Sequence, residues 1–586
     1  MRNLKRALSL ALAAIMLIGM MVVSACAVSY NDLTDKDQIV NKDAVSMLVS
    51  LGIIEGKPDG SYGPTENVDR AQMAKMLSVI MNKGVDNSAL YQSVNSGLTD
   101  ITSNWAKGHI NYCYTTGIIA GRGNGTFDPS ATVTALEAAK MLLVAVGYDP
   151  KIEGFEGADW AINVSVRADE QGIFEGFTKD LSAPLNRDDA ALLIYNALDV
   201  EMIQSYTTNN YPIAYSDHRT ILADKYGVIK VQGVVVANEW ASLASDDGDA
   251  ALKEGKTTIY NGEGIFSTTG NTTVSKEDAS LKTQTFNVST PVDMLGKTVN
   301  LYIKKTTILA DSTVYGDPVV SDVNTVVTTG ETVLYSGAKD PQVDYDKLLG
   351  ENGLTDKDAK YFWNYNSGKY IPNTTEKYGD KTANVKGATL TIIDNNGDGE
   401  VDYVLSVEKA LADITSVNSK KETVTVRTLG TLDNKDVVGY EDMAKEDVVL
   451  YVQYGGRTYL EKPEVVTGEM EHFNVKGTEK YMTVGGEKYK ADELETNART
   501  EVVKFDVTEC DKANGVQFET SYNFYLDDYG NVIAFEEVEA AAKNYALVLD
   551  SAFSTNMLNT SGQVKVLLPD GTTKTYELNW DNSVKS

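Results

Sequence analysis

The chain has 586 residues, with 83 acidic against 53 basic side chains and a formal charge of -30. Its length predicts several domains rather than one core, and its charge argues against a nucleic-acid or anionic-membrane partner. Forty-seven Gly and 32 Tyr against 12 Pro predict strand-rich, turn-rich domains, and three Cys with three His leave little material for thiolate or imidazole chemistry.

Residues 1–27 read as an export signal. Arg2, Lys5 and Arg6 precede an apolar run from Ala7 to Val23, and Ala25-Cys26-Ala27 offers the small-x-small pattern of a cleavage site. Two maturation routes stay open: cleavage before Val28, or lipoprotein processing, because Val23-Ser24-Ala25-Cys26 resembles a lipobox. Neither retains a transmembrane helix, which is the competing reading of the same apolar run. Cleavage before Val28 leaves Cys113 and Cys510, far apart in sequence, so no disulfide framework is expected.

A phrase then recurs three times: Leu51-Gly52-Ile53-Ile54-Glu55-Gly56, Thr116-Gly117-Ile118-Ile119-Ala120-Gly121 and Gln171-Gly172-Ile173-Phe174-Glu175-Gly176, at spacings of 65 and 55 residues. A helical apolar pattern precedes each phrase, and each glycine marks a helix end. A turn and a second helix follow. Its N-caps are Asp69, Thr134 and Asn186, with Gln72, Glu137 and Asp189 three residues on, the spacing of a capping box. The predicted units are 31–85, 96–150 and 153–203, packed together because none is large enough alone.

Asp69-Arg70-Ala71-Gln72, Thr134-Ala135-Leu136-Glu137 and Asn186-Arg187-Asp188-Asp189 resemble the Thr-Arg-Ala-Glu motif of the surface-layer homology (SLH) family. The resemblance implies an all-α three-repeat spindle whose grooves bind secondary cell-wall polysaccharide carrying pyruvyl groups. It also implies a secreted protein at the cell wall or in a surface layer. Arg70 and Arg187 would meet the acidic sugar substituent, while Asp35, Asp100, Trp105 and Trp160 would shape the grooves. Ala135 replaces the second arginine and no tryptophan stands near Val40, so one groove is expected to be weak, with Arg122 a candidate substitute. A guanidinium beside a helix N-terminus is a sensible carboxylate receptor. Equally, the arginines could pair with neighbouring acids and the tryptophans could be core.

Residues 204–228 read as a connector, followed by β-rich regions at 229–380 and 381–540 and a C-terminal β segment at 541–586. Small sandwich or barrel-like domains are expected, with hairpins at Leu526–Val532 and Leu568–Thr572. Ala410–Ile414 with Thr423–Val426 resembles Ala546–Asp550 with Gln563–Val566, an internal duplication. Asp394, Asn396, Asp398 and Asp402 have calcium-loop spacing around Gly399, yet Leu405 stands where a bidentate glutamate belongs, so a plain hairpin turn competes with a structural calcium site. No cofactor is required by any motif. His109, His218 and His472 are isolated, and no catalytic motif appears. The expectation is a non-covalently anchored surface protein, not an enzyme, whose β body is structural or self-assembling. A wall-anchored glycan hydrolase or carbohydrate-binding adhesin is the alternative.

Overall fold

The computed structural model describes residues 30–243, 251–262, 282–304, 312–330, 333–334, 343–367, 388–476, 480–492, 494–538, 546–556, 559–568 and 571–577. The export segment 1–27, and Pro569 and Asp570 of the last expected turn, lie outside them.

The N-terminal region is helical and built from three like units. The first holds α1 (Lys42–Ser50) and α2 (Arg70–Met81), and a short α3 (Ser88–Tyr91) leads to the second, α4 (Lys107–Thr115) and α5 (Ala135–Ala145). The third holds α6 (Trp160–Glu170) and α7 (Arg187–Leu198). The recurring Gly-Ile phrase is a helix stop. Gly52, Gly117 and Gly172 take φ of 69°, 80° and 69°, and the N–H groups of Ile53, Ile118 and Ile173 return to the carbonyls of Leu48, Cys113 and Ala168 at 2.9, 2.9 and 2.8 Å. Glycine supplies the left-handed turn, and the buried isoleucine closes it against the core. Both halves of the capping box form at Asp69/Gln72 and Thr134/Glu137, whereas Asn186 only accepts from the Asp189 N–H.

A closed ring of backbone bonds joins the units. The Val68 N–H donates to Leu185 O (2.8 Å), Leu185 to Val133 (2.7 Å), and Val133 back to Val68 (2.9 Å). All three residues are buried in one core shared by every helix of the region except α3. This ring fixes a pseudo-threefold register in which Arg70, Ala135 and Arg187 are equivalent, each opening a second helix.

Residues 204–228 do not form a free connector. Ile203–Tyr206 pairs with Pro212–Ala214, and Tyr226 reaches back to donate to the Ile80 carbonyl at 3.3 Å. Val228 and Tyr302 of the first β unit belong to the helical core, Tyr195 and Tyr302 share a 3.0 Å hydrogen bond, and Ser46 bonds Asp317 at 3.3 Å. A polar stretch with faded periodicity hid contacts made far away in sequence.

The rest is β-rich, but its units differ from the expected blocks. Thr325–Thr329 pairs with Ala388–Asp394, so a boundary at 380 would cut a sheet. Sheets instead occupy 228–320, 325–408, 410–461, 465–537 and 547–577, apart from Glu495–Thr496, which adds to the third. None of the sheets among the described residues closes into a barrel. Three of them share one plan. A long strand (Val228–Ala237, Ala410–Asn418 or Val465–Asn474) pairs through its first half with a strand from much later in its unit, and through its second half with the strand that follows it. A register shift at 235/237, 414/416 or 470/472 separates the halves or bends the second. A bulge adds a residue and local twist, so one strand serves two differently oriented hairpins and the sheet stays open. Leu547–Asn556 departs from this plan: the strand that follows, Asn559–Leu567, pairs with it along its whole length and then with Thr573–Glu577, so the similarity between 410–426 and 546–566 extends only to the hairpin.

Candidate functional site

The first groove crosses all three helical units, with an open volume of about 500 Å³. Unit one supplies Arg70, unit two the phrase Ile118–Gly123 with Glu137, Lys140 and Met141, and unit three Phe155, Glu156 and Trp160.

Arg70 forms its buried end. The guanidinium donates from Nε to Phe127 O (2.9 Å) and from Nη2 to Ala120 O (3.0 Å), and lies 4.5 Å from the Phe127 ring centroid. Glu137 Oε1 stands 3.8 Å from Arg70 Nη1 and 3.1 Å from Arg122 Nη1. Burial and the neighbouring Arg122 lower the Arg70 pKa. Lys140 sits 5.5 Å from the centroid of the half-buried Trp160 ring, and burial lowers its pKa too, with Glu156 opposing. Three cations and two carboxylates therefore line the groove beside one indole, and Asp128, outside the lining, stands 3.7 Å from Arg122 Nη2. Such a groove can receive an anionic group at the cations while an apolar face lies on the tryptophan.

The pseudo-threefold register places Arg187, Lys75 and Trp105 at the positions of Arg70, Lys140 and Trp160 in the second groove. Arg187 donates to Tyr62 O at 2.8 Å and lies 4.8 Å from the Tyr62 ring, as Arg70 does at Phe127. Lys75 pairs with Glu55 at 3.2 Å. Trp105 is 58% exposed, with its edge toward His109, so it is not core.

In the third groove the same positions hold Ala135, Leu192 and Val40. Val40 is 82% exposed. Asp188 of α7 accepts from the backbone N–H groups of Val40 and Asn41, and Lys179 closes on Asp189 at 2.5 Å. Guanidinium, ammonium and indole are lost together, and an internal ion pair stands in their place.

Two expectations are corrected by this geometry. Arg122 does not replace the arginine missing at Ala135; it joins Arg70 in the first groove, sharing Glu137. Asp35 and Asp100 do not face the grooves. Asp35 accepts from the N–H groups of Tyr62 and Gly63 (2.7 and 2.8 Å), and Asp100 from those of Phe127 and Asp128 (2.9 and 2.6 Å). Burial opposes the Asp100 charge, but those backbone bonds outweigh it and hold its pKa low. These carboxylates fix the turns whose carbonyls hold the arginines. Sequence reading passed over Lys75 and Lys140, although each stands five residues after its signature's second position.

The acidic turn at 394–402 joins two antiparallel strands. The buried Asp394 accepts from the N–H groups of Asn396, Gly397 and Gly399, Asn396 from Asp398, Asp398 from Glu400, and Asp402 from Asn395. Burial, with Asp394 and Asp398 nearby, raises the Asp402 pKa. Among the described residues no group of three or more His, Cys, Asp or Glu side chains is arranged to hold a metal ion.

A family model described as the S-layer homology domain matches residues 29–74 and 97–139. The "Cell surface protein" of Thermoanaerobacter kivui is 28% identical over 273 residues, 46% of this chain and 32% of that protein. The "S-layer protein" of Bacillus licheniformis is 34% identical over 113 residues, 19% and 12%. "Exoglucanase XynX" of Acetivibrio thermocellus is 27% identical over 188 residues, 30% and 16%. This chain therefore spans about a third or less of the length of these relatives. The third unit lies outside the matched residues: its turn is three residues shorter, and Phe155 occupies the place of Asp100. Its backbone ring is nevertheless complete.

Proposed function

From the S-layer homology domains that this chain carries, we propose that it is a secreted surface protein held without covalent linkage on cell-wall polysaccharide. The third helical unit is the third repeat of the anchor. A pyruvyl ketal presents a carboxylate beside a methyl group, and the first groove offers the matching pair, Arg70, Arg122 and Lys140 beside Trp160. That juxtaposition, repeated around Arg187 and missing around Ala135, is the observation that carries the reading. Two grooves bind and the third does not. Among the described residues no helix is long and apolar enough to cross a membrane.

The β-rich body is structural rather than enzymatic, supported by relatives named for the cell surface and S-layer. The exoglucanase match shows that similar sequence also occurs in a protein named as an enzyme, which keeps the hydrolase alternative testable. Incubation with wall glycans should release no reducing sugar; release would favour it.

The anchor is tested by co-sedimenting the purified chain with bacterial cell walls before and after chemical removal of their non-peptidoglycan polysaccharide and pyruvyl groups. Binding should depend on both. A variant carrying Lys75→Ala, Trp105→Ala, Lys140→Ala and Trp160→Ala should stay in the supernatant with its helical signal intact. Retention of that variant on untreated walls would refute the groove assignment.

A further inference from the structure

A second cleft lies in the β body, lined by one face of the sheet at 325–408 and one face of the sheet at 410–461. Its open volume is about 520 Å³, within the range of small-molecule sites, which occur preferentially where domains meet. Two facing sheets ordinarily fill the space between them with interdigitated apolar side chains. Here the first wall mixes hydroxyls with aliphatic groups. Thr391 stands opposite Thr328 on one neighbouring strand and Leu405 on the other, and Thr389 stands opposite Val407. Cross-strand pairing sets them all on the face that lines the cleft.

The other wall is aromatic. Tyr454 stacks on Tyr459 with ring centroids 4.1 Å apart, and Tyr365, which comes from the sheet of the first wall, meets Tyr454 edge-on at 4.8 Å. Tyr365 is held there against its backbone preference. It is the second residue of the two-residue turn between Lys360–Trp363 and Asn366–Ser367, with φ of 44° at Asn364 and 61° at Tyr365. Glycine is favoured at that turn position, and a bulky side chain at positive φ is an outlier. Asn364 pins the turn: its N–H donates to Ser406 O and its Oδ1 accepts from the Glu408 N–H, both at 2.8 Å. Backbone strain fixed in this way clusters at ligand sites.

Two charged groups border the cleft. Lys409 lies between Glu461 and Asp528, 2.7 Å from the latter, and Lys297 stands 3.5 Å from Asp293. Three carboxylates outnumber two ammoniums, which disfavours an anion, and with both lysines in place little net charge remains to hold a cation. Carboxylate beside ammonium instead offers acceptors and donors to neighbouring hydroxyls, while tyrosine rings give an apolar surface to a C–H face. Each of these carboxylates is engaged by a lysine, an arrangement that binds a sugar rather than cleaving it.

We propose that this cleft binds a neutral saccharide, a short run of uncharged sugar rings. It gives the body a glycan contact that goes beyond the anchor and shares no residue with the helical grooves.

The test uses the full chain. Isothermal titration with neutral di- to tetrasaccharides of glucose, galactose, mannose and N-acetylglucosamine, beside uronic-acid oligomers of the same lengths, should show saturable binding of at least one neutral member and of no acidic one. Thr391→Trp, which fills the cleft from its first wall, should weaken that binding on the order of tenfold or more. Thr391→Val keeps the side-chain shape and removes the hydroxyl, so it should bind severalfold more weakly while folding as the parent does. No binding of any neutral member at millimolar concentration, preference for the acidic oligomers, or parent-like binding by either variant overturns the proposal. The variant carrying Lys75→Ala, Trp105→Ala, Lys140→Ala and Trp160→Ala should bind the neutral saccharide as the parent does, so failure of the anchor reading and failure of this one are read separately.

Discussion

Replacing Arg70 by alanine should cost the helical region more than replacing Arg187, although the two are equivalent by sequence. Arg70 is 5% exposed and donates two charge-assisted bonds to backbone carbonyls at 2.9 and 3.0 Å, above the Phe127 ring. Hydrogen bonds to a charged group contribute roughly 1.5–3 kcal/mol each, and the ring contact about 0.5–2 kcal/mol. Removing a buried charge offsets part of this, because its desolvation is also relieved. About 3 kcal/mol remains for Arg70→Ala. Arg187 makes one backbone bond at 2.8 Å and a ring contact at 4.8 Å from a half-exposed position where solvent weakens both, so about 1.5–2 kcal/mol is expected there. Arg70→Lys should recover little, since a single ammonium cannot reproduce the planar fork. Urea unfolding followed by helical circular dichroism measures the difference. Parent-like stability for Arg70→Ala, or a larger loss for Arg187→Ala, would refute the assignment of Arg70 as a structural clamp as well as a groove cation. Wall-binding assays on Arg70 variants consequently require a folded population at the assay temperature.

His109 is buried between Ser78 and Asp86, and burial lowers its pKa against the pull of Asp86. The unfolded chain then binds a proton first, so stability should fall as pH drops below about 6.5, and His109→Gln should flatten that slope in melting experiments across pH 5 to 7.5. Glu408 behaves oppositely: burial, with Glu495 adding, pushes its pKa up to about 7. Its contribution is complete below the unfolded value and is lost as pH rises through about 7. Glu408→Gln should therefore stabilise the chain by about 1–3 kcal/mol at pH 8 and be near neutral at pH 4, read from the same melts. At the 394–402 turn, a calcium ion held without a glutamate at the last position should bind at millimolar strength. Millimolar calcium should raise the melting temperature of the parent modestly and leave Asp398→Ala unmoved; identical melts for both would assign the loop to turn geometry alone.

Local signals carried the helical region and non-local ones hid the rest. The helix stops at Gly52, Gly117 and Gly172, and the caps at Asp69, Thr134 and Asn186, are chemistry within a few residues, so spacing alone located them. Arg70 and Arg187 were legible because they stand beside those caps. Lys140 and Trp160 were harder to join, since they meet only after the units close their ring, and no periodicity reports a distance between repeats. Asp100 misled for the opposite reason. A recurring acid near a turn reads as part of a groove, while its oxygens accept the Phe127 and Asp128 N–H groups. In the β body the strands were visible but their partners were not. Val234 has Thr298 on one side and Tyr260 on the other, and alternation along a strand does not record which distant strand sits beside it.

The junction between anchor and body has a mechanical consequence. Tyr302 lies on a central strand of the first β sheet, yet is buried in the helical core and hydrogen-bonded to Tyr195 of α7, while Lys230 of the adjacent strand pairs with Asp199 at 3.3 Å. Gly316 sits where a Cβ would come within 3.3 Å of the Met47 backbone, so that strand lies directly on α1. A flexible tether would transmit only tension from the wall, whereas packed side chains also transmit orientation. The grooves are therefore fixed relative to the first sheet, so that under the proposed function the angle at which the anchor sits on its polysaccharide sets the direction in which that sheet leaves the surface.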